Sequence, residues 1–158
     1  MTSELLKELI SLSKDKQFHL KKILEITKKQ QQVIEKSDTD RLQAYITKKQ
    51  KEIDCIDKLD IKFTEIYERI KKNNNVTSLD ELNTEYHPYL KELKDIVEEI
   101  TNLLKNIQEI ELENNKKIKR EFQQVKEKLK NVKQGKKMVK GYSAYKKPKG
   151  SIFINQKK

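Results

Sequence analysis

The scarcity of chain-turning residues constrains this fold more than any other feature. The only glycines are Gly135, Gly141 and Gly150 and the only prolines Pro88 and Pro148, so glycine is absent before Gly135 and proline enters that stretch once. Glycine is the usual residue for tight turns and proline the usual helix breaker. A long stretch that nearly lacks both, and is rich in Lys, Glu, Gln, Leu and Ile, reads as a few long helices. Apolar residues make up 34% of the chain and charged residues 39%, against about 45–50% and about 25% in an ordinary globular domain. The core must therefore be thin, which suits a bundle or coiled coil.

The apolar residues recur with helical period. Leu9, Leu12, Ile23, Ile26 and Val33 fall on one seam and Leu6, Ile10, Leu20, Leu24 and Ile34 on the next, predicting a first helix over 3–36. That seam also carries Lys16, His19 and Gln30 inward, which implies weaker packing there or a face turned toward something other than the core. Ser37-Asp38-Thr39-Asp40 offers several helix caps and predicts a short turn into a second helix over 39–72, with Leu42, Ile46, Ile53, Ile56, Leu59, Phe63, Ile66, Tyr67 and Ile70. Two helices of ~50 Å joined so closely must lie antiparallel. Asn73-Asn74-Asn75 interrupts the period, and Ser78-Leu-Asp-Glu81 has the capping-box pattern for a short helix over 78–84. Pro88 suits the first turn of a last helix over 87–132, carrying Leu90 through Ile118, Phe122, Val125, Leu129 and Val132. Around Glu113-Asn114-Asn115-Lys116-Lys117 its stripe turns polar, which predicts a kink or the point where the helix outruns its partners. The expected architecture is all-α: a long antiparallel hairpin completed to a three-helix coiled-coil bundle over 1–132, then a flexible basic tail over 133–158.

The net charge is +11, but its placement matters more than its sum. From Lys133 onward come Lys133, Lys136, Lys137, Lys140, Lys146, Lys147, Lys149, Lys157 and Lys158 without one acidic residue, leaving about +2 for the helical part. Cys55 is the only cysteine, so no intrachain disulfide forms and a reducing, cytoplasmic setting is expected. The residue itself reads as a small apolar filler beside Ile53 and Ile56. Apolar runs reach no more than three residues, as in Ile152-Phe153-Ile154, far short of the ~20 residues of a membrane span.

Nothing in the residue pattern points to bond-making chemistry. His19 and His87 are isolated, with no second His, Cys or carboxylate pair at metal-ligand spacing, so neither metal nor cofactor is expected. Acid pairs such as Glu98-Glu99 and Asp80-Glu81 diverge on a helix and suit solvated faces. Gly135-Lys136-Lys137 follows a helix and lacks the remaining glycine and hydroxyl of a phosphate loop. Lysines interleaved with Tyr142, Tyr145 and Phe153 raise nucleic-acid binding as a competitor. The tail contains no arginine, however, and long near-neutral helices are superfluous to such a tail.

The order of elements resembles the FlgN family of flagellar export chaperones, in the divergent form of Gram-positive bacteria. The resemblance rests on the first long helix, on Ser37-Asp38-Thr39-Asp40-Arg41-Leu42 leading into Ile46-Thr-Lys-Lys-Gln-Lys-Glu-Ile53, and on the Ser78-Leu-Asp-Glu-Leu82 connector. Leu112-Glu-Asn-Asn-Lys-Lys-Ile118 and the Gly135-Lys-Lys-Met-Val-Lys-Gly-Tyr-Ser-Ala-Tyr145 ending are similar too. It implies a cytoplasmic, non-enzymatic chaperone for the hook–filament junction proteins FlgK and FlgL, binding their terminal helices and bringing them to the export gate. On that reading the client surface is Ile118, Phe122, Val125, Leu129 and Val132, and the gate contact Tyr142 or Tyr145. The first group equally suits ordinary bundle core, and the tyrosines suit incidental tail residues slightly better. A monomer or weak dimer is expected of a chaperone; a self-associating coiled-coil scaffold is the alternative and demands a stable homo-oligomer.

Overall fold

The computed structural model describes residues 2–129. Among them lie three α-helices, one 3-10 turn and no strand: α1 spans Thr2–Glu35, α2 Thr39–Asn74, the turn Leu79–Glu81, and α3 Tyr89–Leu129. The all-α bundle is therefore as the periodicity implies. The connector differs, because the capping box at Ser78 nucleates only three 3-10 residues, and α3 starts at Tyr89, just after Pro88. The expected tail, with Val132, Tyr142 and Tyr145, lies outside the described residues.

Helices α1 and α2 both exit through a six-residue cap whose fifth position is normally glycine. After α1, Asp38 N–H donates to Val33 O (3.0 Å) and Ser37 N–H to Ile34 O (3.1 Å), with Ser37 at φ 54°. After α2, Val76 N–H donates to Lys71 O (3.1 Å) and Asn75 N–H to Lys72 O (3.4 Å), with Asn75 at φ 50°. These are Schellman caps, in which a left-handed residue lets the last carbonyls find donors. Serine and asparagine take that position here at a steric cost glycine avoids. Asp38 then opens α2, its carboxylate accepting from Arg41 N–H at 3.1 Å.

The helices contribute to two compact units, one built of Met1–Ile23 with Lys51–Leu104, the other of Leu24–Gln50 with Lys105–Lys158. In the first, Leu6, Leu9, Leu20, Ile23, Ile56, Ile70 and Leu90 are fully buried. Thr2 meets Asn74 and Lys16 meets Asp60, so α2 runs against α1; Lys14 meets Glu92 and Gln17 meets Glu99, so α3 runs with it. Lys16 and His19, awkward on an apolar seam, are explained by partners on α2: Lys16 Nζ pairs with Asp60 at 2.8 Å, and His19 Nδ1 lies 3.0 Å from Glu52, which Lys22 also approaches at 3.7 Å. That face of α1 turns toward α2 and is satisfied there. Cys55 departs from expectation, being exposed. Ile53 and Ile56 are three apart and share the inward face, whereas a residue two positions from Ile53 points roughly to the opposite side.

The second unit repeats the same directions: Thr27 meets Asn114 and Glu35 meets Lys117, while Lys49 of α2 meets Glu111. Its end at the α1–α2 turn holds a small cluster of Val33, Ile34, Leu42 and Ile118, with Tyr45 and Ile46 packed against it.

Candidate functional site

The last turns of α3 carry the residues that the sequence singles out. Ile118, Phe122, Val125 and Leu129 follow a spacing of four, three and four, which keeps them on one helix face. Ile118 is 7% exposed and Phe122 6%, whereas Val125 and Leu129 are half-buried. The stripe thus leaves the packed region gradually, opening at Val125. It does not open at Glu113–Lys117, where the polar residues suggested that α3 outruns its partners or kinks. The helix continues unbroken there. Asn114 Nδ2 donates to the Thr27 carbonyl (3.2 Å), Lys117 pairs with Glu35 (2.6 Å), and Ser37 Oγ donates to Glu121 (3.2 Å). Helix α1 and its exit turn therefore flank α3 as far as Glu121, which explains why Ile118 and Phe122 lie covered. The Lys126 ammonium sits 4.9 Å from the Phe122 ring centroid, a cation–π contact that caps the ring from its own helix.

Just inside this end, the unit contains a polar layer that sequence reasoning only partly registers. Thr27 and Gln30 of α1, Lys49 of α2 and Asn114 of α3 are all buried, and the Lys49 ammonium pairs with the Glu111 carboxylate. Burial pushes the Lys49 pKa down, outweighing the upward pull of Glu111. The signal for it was present in the heptad spacing: Leu42, Lys49 and Ile56 recur every seven residues on α2, and Ile107, Asn114 on α3 likewise. Inward polar residues on such seams demand partners across the bundle. At the rim, hydrogen bonding and proximity to Lys117 hold the exposed Glu35 carboxyl below its ordinary range.

The connector supplies a further fixed point. Glu81 accepts from Thr77 N–H (2.6 Å), Ser78 N–H (3.0 Å) and Thr77 Oγ1 (2.9 Å), and Ser78 Oγ accepts from Asp80 N–H (3.2 Å). Those donors, Ser78 first, lower the Glu81 pKa. Among the described residues no three or more His, Cys, Asp or Glu side chains gather as a metal would need, and no helix is long and apolar enough to cross a membrane.

Three long helices, with an apolar stripe on the third that passes from buried Phe122 to half-buried Val125 and Leu129, define an all-α helical bundle. A family model described as FlgN protein matches residues 1–150, and the chain belongs to the FlgN family. That membership makes it a flagellar export chaperone. No curated protein and no solved structure matches the chain.

Proposed function

We propose that this chain is a cytoplasmic chaperone for hook–filament junction proteins of the FlgK and FlgL type, without enzymatic activity of its own. It binds the amphipathic terminal helices of these clients along the α3 stripe, running from Ile118 and Phe122 through Val125, Leu129 and Val132. The observation that carries this reading is the passage of the stripe from buried Phe122 to half-buried Val125 and Leu129. A helix face with i, i+3, i+4 and i+7 apolar positions is the complement that a client's amphipathic helix requires. Covering that client helix keeps it from pairing prematurely with its neighbours in the growing structure. Delivery to the export gate falls to the basic C-terminal segment, with Tyr142 or Tyr145 as the contact.

Calorimetric titration with the C-terminal helical segments of the junction proteins tests this reading. Stoichiometric one-to-one binding is expected, retained after truncation at Lys133 and weakened about tenfold or more by Leu129→Asp, which puts a charge against a desolvating apolar helix. Absence of binding by the intact chain, together with a stable homo-oligomer in sedimentation, would favour the self-associating scaffold instead.

A further inference from the structure

Among the described residues of the second unit, a buried polar layer crosses the apolar core. Along α1 the inward residues Thr27 and Gln30 precede Val33 and Ile34; along α3, Asn114 stands between Ile107 and Ile118; on α2, Lys49 follows Leu42 two turns on. These polar residues share one level, tied by the Lys49–Glu111 pair and the Asn114–Thr27 hydrogen bond, and Asn114 Oδ1 is buried with no hydrogen-bond partner. On one side of that level lies Ile107. On the other, among the described residues, lies the cluster of Val33, Ile34, Leu42 and Ile118, with Tyr45 and Ile46 packed against it and Phe122 buried beyond it.

Segments held by few buried apolar contacts open before the rest of a protein does. Among the described residues the cluster contains four buried side chains with Tyr45 and Ile46 packed against it, and its rim is bridged by Lys117–Glu35 and Ser37–Glu121, each joining a half-buried side chain to an exposed one. Pairs so open to solvent contribute little against opening. A polar layer interrupts the hydrophobic continuity that would otherwise make the end cooperative with Ile107. The closed arrangement also covers Ile118 and Phe122, the first two members of the stripe proposed above for the client helix.

We propose that the end of this unit beyond the polar layer opens locally, lifting the α1–α2 turn region from α3, and that the surface bared by Val33, Ile34, Leu42, Ile118 and Phe122 receives the client's amphipathic helix. The inference rests on the client reading of the preceding section for its ligand, though not for the opening itself. Opening exposes the cluster and docking re-buries it, so the client selects and stabilises the open state. The polar layer confines the change to one end and leaves the remaining helices in register.

Hydrogen exchange on the full chain alone tests the opening. Amides of residues 33–45 and 118–122 are expected to exchange about tenfold or more faster than those around Ile107. The double replacement Lys49→Met with Glu111→Leu is expected to slow them about tenfold, because apolar side chains in place of a buried ion pair join the cluster to the core. Equal protection on both sides of the layer in the natural sequence overturns the opening. Docking is tested in a Cys55→Ser background carrying Ser37→Cys and Glu121→Cys, whose side chains meet across the rim, bridged with a short bis-maleimide or capped singly with N-ethylmaleimide. Titration with the C-terminal helical segment of a junction protein is expected to show binding by the capped form and at least about a tenfold loss on bridging. Undiminished binding by the bridged form overturns the proposal. No binding by the unmodified chain removes the client reading and the assignment of the bared surface, while the exchange pattern still decides whether the end opens.

Discussion

Lys49→Met is the substitution whose consequence the structure specifies most closely. The Lys49 side chain is 10% exposed and that of Glu111 19%, so both charges are largely removed from water and depend on each other. Methionine keeps the length of the lysine stem and its packing, and the change leaves the largely buried Glu111 carboxylate without its counter-charge. Breaking a buried pair by removing one partner costs about 3–5 kcal/mol. The residual exposure of Glu111 returns part of its hydration, which puts the expected loss at about 2–3 kcal/mol. For a chain of this size that lowers the melting temperature by about 5–10 °C. Adding Glu111→Leu removes the stranded charge and is expected to restore stability to the natural level or about 1 kcal/mol above it. Urea unfolding followed by circular dichroism measures all four corners of the cycle, and unchanged slopes would show that the unfolded state is not the source of the difference. A loss below about 0.5 kcal/mol for Lys49→Met, with the double variant equal to the sum of the singles, would refute the assignment of a coupled buried pair.

Further outcomes follow from the same geometry. Ile118→Ala should cost about 2–4 kcal/mol in urea unfolding, since Ile118 is nearly enclosed by Val33, Ile34 and Leu42; Val125→Ala, on a half-buried side chain, should cost less than about 1 kcal/mol. Ser78→Ala should remove about 1 kcal/mol by taking away the hydroxyl that accepts from Asp80 N–H, visible as a lower thermal midpoint. The folded-state pKa of Lys49 is depressed from 10.5, so between that lowered value and 10.5 the unfolded chain holds more protons. The stability of the natural chain relative to Lys49→Met should therefore rise as pH climbs through that window, and paired urea titrations from neutral to alkaline pH that show no such relative rise would contradict the burial of the ammonium.

Several of these features were legible in the residues themselves. The near absence of glycine and proline and the repeated apolar period were enough for three long helices and the turn at Ser37–Thr39, because helix formation depends on local propensity and on which face can be buried. The capping box at Ser78 was equally local, although how far its helix would run was not: three residues suffice when α3 begins at Tyr89 soon after. The chain also ends α1 and α2 with Ser37 and Asn75 in left-handed positions, a choice that no glycine announced.

The residues alone determined that this protein is an all-α bundle with inward seams and a stripe on its last helix, since period and composition act along the chain. Which members of the stripe are covered was settled only by tertiary structure: α1 and its exit turn flank α3 as far as Glu121, so Ile118 and Phe122 are enclosed while Val125 and Leu129 are half-buried. The fate of the inward polar residues was decided the same way. Lys16 finds Asp60, Lys49 finds Glu111 and Asn114 finds the Thr27 carbonyl, each on a different helix. A helical period shows that such residues face inward, but their partners lie 44, 62 and 87 positions away, and only the packing of the helices determines which groups meet.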